Sequence, residues 1–173
     1  MNLDYFTIII ILFIMLVSYR IYINSDIFQL KCIVSEVDGE KYCVRERDKL
    51  KLAANRLALV NNNMKKIVEY CSEKYPDNDF VKRLKKGYNP KKIFEILPTS
   101  KYTAYSENKG EKLAFCLNKK KDDNDNLIDL NTLTYVALHE LSHIGSKTLG
   151  HTSEFWNNFK FLIIEAEKLN LYK

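Results

Sequence analysis

Tyr135-Val136-Ala137-Leu138-His139-Glu140-Leu141-Ser142-His143 is the stretch of this 173-residue chain that decides its reading. Its apolar residues recur at helical spacing, with Asp129 or Asn131 ahead of them as an N-cap. The segment from Leu130 to about Ile144 is therefore expected to be a helix. On a helix, His139 and His143 stand one turn apart on one face. That spacing brings two neutral imidazoles to one Zn²⁺ at about 2.0–2.1 Å. Glu140 sits beside the ligand face, suited to act as general base on an activated water and to pass its proton to a leaving amine. An open zinc site takes a third protein ligand. His151, just after Gly150, is the only other histidine in the chain. A helix with solvated or core histidines would not concentrate every imidazole of the chain here.

Outward from the motif, Gly145 is expected to end the helix. A last helix begins near Thr152, which with Ser153 is a candidate cap. Phe155, Phe159, Leu162, Ile163, Ala166 and Leu169 share one face of it. Upstream, Lys101–Ser106 and Lys112–Leu117 read as a hairpin turning at Asn108–Gly110, and Lys112–Leu117 is a candidate edge for an extended peptide. Lys119–Asn126 is a polar loop. Its Asp122, Asn124 and Asn126 lack the glycine and the closing acid of a calcium loop, so calcium is not expected.

Glu46–Tyr75 reads as one long helix, with Leu50, Leu57, Met64 and Cys71 recurring every seven residues, and Pro76 stops it. Asp79–Lys86 is a short basic helix ending at Gly87. Lys82, Arg83, Lys85, Lys86, Lys91 and Lys92 form the densest basic patch, read as a solvated face. Gln29–Val37 and Glu40–Arg45 read as strands around Asp38-Gly39, a two-residue hairpin signal. The four cysteines form no CxxC pair, and scattered buried thiols are preferred over two disulfides.

At the N-terminus, Tyr5–Tyr19 is uncharged and carries four consecutive isoleucines. With Arg20 snorkelling, Tyr5–Ile23 suffices for a membrane span. Asp4 precedes it, no basic residue does, and no small-residue cleavage site follows, so an anchor is preferred to a cleaved signal peptide. The first basic residues, Arg20 near the end of the span and Lys31 after it, put the body in the cytosol. The hydrophobic share of 46% includes this anchor and so overstates the soluble core. Five Gly and three Pro exclude collagen-like and Pro/Gly-rich disordered chains. The net charge of +5 is too modest for a nucleic-acid-binding tail.

His139-Glu140-Leu141-Ser142-His143, followed by Gly150-His151-Thr152-Ser153-Glu154-Phe155-Trp156, resembles the zincin metallopeptidases of the WLM and SprT-like type. Those enzymes place a third histidine a few residues before an aromatic. Leu130–Tyr172 carries the resemblance. The chain is also similar to short metallopeptidase-like proteins of large DNA viruses and some algae. The resemblance implies an α+β minimal zincin-like domain: a long scaffold helix, a small antiparallel sheet, an active-site helix and a C-terminal helix. It also implies His139, His143 and His151 as zinc ligands and Glu140 as catalytic base. The interval from His143 to His151 is longer than the usual WLM spacing. A gluzincin-like arrangement with Glu165 as third ligand therefore stays open, with Glu154 on the same flank. Tyr102 and Tyr105 are oxyanion candidates only because zincins often use tyrosine or histidine there.

The chain is accordingly expected to be a viral, single-pass, membrane-anchored zinc metallopeptidase acting on proteins or peptides. Residues 1–25 would be the anchor, 26–45 a juxtamembrane hairpin and 46–173 the zincin-like domain. The DNA-bound protein substrates associated with WLM and SprT-like enzymes are not carried over, because no DNA-reading motif is present. The alternative is a non-catalytic membrane-tethered interaction module with a structural zinc, which would have no use for a base at Glu140. A metal-free structural or virion membrane protein is disfavoured by the histidine clustering.

Overall fold

The heptad-spaced apolar stripe of the long helix forms one wall of the core. The computed structural model describes residues 4–24, 30–97, 100–118 and 126–173. Within it the elements run α1 (Tyr5–Asn24), β1 (Leu30–Val34), β2 (Lys41–Arg45), α2 (Leu50–Lys74), α3 (Asp79–Gly87), β3 (Ile93–Glu95), β4 (Ala104–Glu107), β5 (Lys112–Phe115), α4 (Leu130–Gly145) and α5 (Ser153–Lys168). The α+β class and the N-terminal apolar helix match the reading of the sequence. On α2, Leu57, Val60, Met64, Ile67 and Cys71 are buried, and Ala53 and Ala54 let neighbouring elements approach closely. They meet Leu113 and Phe115 of β5, Leu138 and Leu141 of α4, and Phe155 and Leu162 of α5 in one core. Residues of this size contribute roughly 1.5–3 kcal/mol each when fully buried.

The sheet has the order β1-β2-β3-β5-β4. It is mixed, not wholly antiparallel as expected. β1 and β4 run antiparallel to their neighbours, whereas β2–β3 and β3–β5 are parallel. The reason is topological. Between β2 and β3 the chain crosses through α2 and α3, and such crossovers return strands in parallel. β3 is absent from the reading of the sequence, because three residues after Pro90-Lys91-Lys92 carry no period. The hairpin expected as a separate juxtamembrane unit is joined to the same sheet, with Cys43 of β2 opposite Phe94 of β3. Its turn is also longer than the two-residue form, since Val34 pairs with Lys41. Cys32 and Cys43 face each other across this hairpin and form a disulfide, while Cys71 and Cys116 are buried free thiols. The free-thiol reading therefore holds for one pair only.

β4, not β5, is the edge strand. β5 lies between β3 and β4, with Tyr105 opposite Ala114 and Phe94 opposite Ala114 on its other side. Glu95 ties β2 to β3 from within. It accepts from the Arg45 backbone N–H at 2.8 Å and pairs with the Arg47 guanidinium, which also donates to Asn118 at 2.5 Å. α1 is long and apolar enough to cross a membrane, a description that a signal sequence also fits. The polar loop expected from Lys119 lies outside the described residues as far as 125.

Candidate metal centre

Asp129 caps α4 by accepting from the Thr132 N–H at 2.9 Å, and the helix runs to Gly145, packed against Phe80. His139 and His143 project from one face of α4, as their spacing predicts. Thr152 caps α5, and His151 stands immediately before that cap. The Nε2 atom of His139 lies 3.2 Å from Nε2 of His143 and 3.0 Å from Nε2 of His151. The three candidate ligand atoms all lie within 4.8 Å of one another.

Phe155 of α5 holds the three rings from below. Its centroid is 4.8 Å from that of His139, 4.3 Å from His143 and 4.7 Å from His151. Burial lowers the pKa of His139, assisted by His151. Burial, then His139, His151 and Lys109, lower that of His143 to about 4. Both imidazoles are therefore neutral at pH 7, the form that offers a lone pair to a metal. Three convergent imidazole nitrogens fit a borderline-soft divalent ion such as zinc.

Glu140 points into the same cleft and is 6% exposed. Burial raises its pKa to about 7. The cleft, of about 550 Å³, is bounded by Tyr102, Tyr105 and Ser106 on the side of β4 and by Thr148, Leu149 and Gly150 on the other. Tyr102 and Tyr105, the oxyanion candidates, thus stand on one wall, their ring centroids 6.2 Å apart.

The two acidic alternatives for the third ligand are engaged elsewhere. Glu165 faces α2 and accepts hydrogen bonds from Lys168 (2.5 Å), Tyr75 (2.9 Å) and Lys74 (3.2 Å). Glu154 accepts from the backbone N–H groups of Lys147 (2.8 Å) and Thr148 (2.9 Å). Neither belongs to the cluster of possible metal-holding groups, which among the described residues is His139, His143 and His151.

Glu165 yields a test of its own. Burial alone would raise its pKa, but the hydrogen bonds from Lys168, Tyr75 and Lys74 outweigh it and hold the group at about 2. A carboxylate depressed in the folded state stabilises above its unfolded pKa, and that contribution is lost as pH falls toward the folded value. Glu165→Gln is therefore expected to flatten the decline in stability between about pH 4.5 and 2.5, read by urea unfolding at each pH. Parallel curves for the two chains would refute this assignment.

The residues that sequence reasoning misses are those that hold the third imidazole. By its spacing Phe155 reads as a core residue only. Lys109 is hidden in a turn, and Glu154 reads as a first-turn acid or an alternative ligand, not as an acceptor for the backbone ahead of the helix. Phe155 does carry a periodic signal, but only as a core residue, and nothing in the sequence marks Lys109 or Glu154 for this positioning.

A helix bearing His139, Glu140 and His143 lies beside a small mixed sheet, with His151 just ahead of the last helix. The chain shares this fold with Wss1 from Saccharomyces cerevisiae, at a TM-score of 0.51 and 16% identity over 72% of this chain and 84% of that one. A mutant of the same yeast protein aligns at a TM-score of 0.53 over 75% of this chain and 91% of its own, again at 16% identity. In sequence the chain is similar to the uncharacterized protein R325 of Acanthamoeba polyphaga mimivirus, 28% identical over 145 residues, 82% of this chain and 73% of the relative. It is also 39% identical over 62 residues to the uncharacterized protein 136R of Invertebrate iridescent virus 6, covering 36% of this chain and 35% of that one. No protein-family model matches the sequence.

Proposed function

We propose that the protein is a membrane-anchored zinc metallopeptidase, with His139, His143 and His151 as metal ligands and Glu140 as the catalytic base. The observation that carries this reading is the convergence of three imidazole nitrogens at the floor of a cleft that Glu140 also lines. Zinc held there supplies Lewis acidity to a water and to the scissile carbonyl. Glu140 takes the proton of the attacking water and returns it to the departing amine. A group whose pKa lies near 7 is matched to both halves of that task. The edge strand β4 offers backbone N–H and C=O groups to an extended peptide, replacing Lys112–Leu117 in that role. Tyr102 or Tyr105 on the same wall is a phenol donor for the developing oxyanion. α1 serves as a single-pass anchor.

A purely structural zinc is disfavoured by the setting of Glu140, a buried carboxyl that opens on the cleft beside the ligands. The test is metal analysis of the full chain in detergent together with hydrolysis of an unfolded protein substrate. About one zinc per chain is expected, with His151→Ala weakening binding by about tenfold or more. Undiminished affinity in that variant would remove His151 from the ligand set. Absence of zinc from the wild type would refute the reading as a whole.

A further inference from the structure

The third imidazole is presented by a segment with no buried anchor of its own. Lys147, Thr148, Leu149, Gly150 and His151 are all exposed, Leu149 to 81%. Fixing such a segment costs backbone entropy, and hydrophobic burial offers little to offset it. Phe155 meets the His151 ring itself, and the interactions that hold the backbone ahead of it are polar and arrive from two sides. Lys109, in the turn between β4 and β5, extends its ammonium to the carbonyls of His143 (3.2 Å), Ser146 (2.6 Å) and Thr148 (3.1 Å). An ammonium has three donors, and all three are occupied. Glu154, in the first turn of α5, grips the other polarity of the same backbone. One carboxylate oxygen accepts from the Lys147 N–H, and the second accepts from both the N–H and the hydroxyl of Thr148 (2.9 and 2.8 Å). Arg83 closes the ring, donating to the Gly145 carbonyl at 2.7 Å and approaching Glu154 at 3.4 Å.

We propose that Lys109 and Glu154 are positioning residues for His151: a cation on the carbonyls and an anion on the amides clamp the segment after α4, so that the third imidazole meets the two on the helix. The inference rests on the metal-site reading above and adds to it the device that completes the ligand set. Lys109 also connects the edge strand to the histidine cluster, because it lies two residues after β4 and reaches the backbone carbonyl of His143.

The test compares zinc affinity in the full chain, by competition with a chromogenic chelator, for wild type, Lys109→Met, Lys109→Arg and Glu154→Gln. Lys109→Met and Glu154→Gln are each expected to lose about tenfold or more in affinity, the range seen when groups supporting a metal ligand are removed. Lys109→Arg, which keeps charge and several donors, is expected to recover most of it. The Co²⁺-substituted Lys109→Met protein is expected to show a visible spectrum displaced toward that of His151→Ala. A merely structural role would lower the melting temperature of the metal-free chain and leave both affinity and spectrum as in wild type, which would overturn the proposal. If Lys109→Met does not fold, Glu154→Gln decides, since it retains Lys109 and the Thr152 cap. Wild-type affinity in that variant also overturns the proposal. A wild-type chain that binds no zinc would instead refute the metal-site reading, and the clamp would fall with it.

Discussion

Glu140→Gln is expected to lose on the order of 10²–10⁴-fold in kcat while still holding about one zinc per chain. The amide has nearly the shape of the carboxyl but accepts no proton from the attacking water. The fold should tolerate the exchange. Glu140 is buried and holds its proton up to about pH 7, so the site already accommodates a neutral group of this size for much of the time. Its neighbours His139 and His143 keep their setting, because they rest on Phe155 and on the helix itself. Three readings from one preparation check the outcome: kcat on a peptide, zinc content and melting temperature. Activity within tenfold of wild type, with zinc intact, would take the role of base away from Glu140. Loss of zinc together with activity would show that the residue supports the ligands instead.

The second large effect falls on stability. Gly110→Ala is expected to destabilise the chain by more than about 2 kcal/mol, from a left-handed backbone and a backbone clash acting together. Gly110 sits at φ +104°, and a Cβ there would press into the carbonyl oxygen of Gly87 and lie 2.9 Å from Ile144 Cδ1. A carbonyl at the end of α3 cannot rotate aside as a flexible side chain could. For a domain of this size the fall corresponds to roughly 5–8 °C in melting temperature. Gly39→Ala is the comparison, since Gly39 also has positive φ (+72°) but a Cβ added there would meet nothing within 4 Å. It should cost about 1 kcal/mol, from conformation alone. Equal melting temperatures for the two variants would show that the contact between α3 and the β4–β5 turn yields easily. The displaced turn carries Lys109, so zinc affinity should fall in Gly110→Ala and not in Gly39→Ala.

Helical spacing makes the centre of the site legible from the residues. His139, Glu140 and His143 announce themselves through a four-residue interval on a capped apolar period, and both the helix and the shared face are present. His151 is legible through scarcity. What stays hidden depends on partners distant in sequence. β3 is a strand because β2 and β5 flank it, and Ile93-Phe94-Glu95 alone carries no period. The edge position of β4 follows from the strand order, which no local pattern encodes. Glu165 and Glu154 are equally plausible as ligands by spacing along α5. They are separated by what faces them, lysines on α2 and α5 in one case and backbone amides in the other. Cys32 and Cys43 look like scattered thiols until the hairpin register sets them opposite each other.

That cross-strand sulfur pair has a bearing on geography. Glutathione and thioredoxin keep cytosolic thiols reduced, whereas bonds between cysteines persist in lumenal, extracellular and surface-exposed proteins. If α1 spans a membrane as proposed, Arg20 near its end and Lys31 beyond it favour a cytosolic body, and the Cys32–Cys43 bond favours the opposite side. Only five residues, 25–29, separate α1 from the strand that bears Cys32, a tether of roughly 20 Å at full stretch. With α1 as the anchor proposed above, the bridged hairpin would stay close to the bilayer on whichever side the domain resides, and its oxidation state would serve as a chemical address label for the cleft.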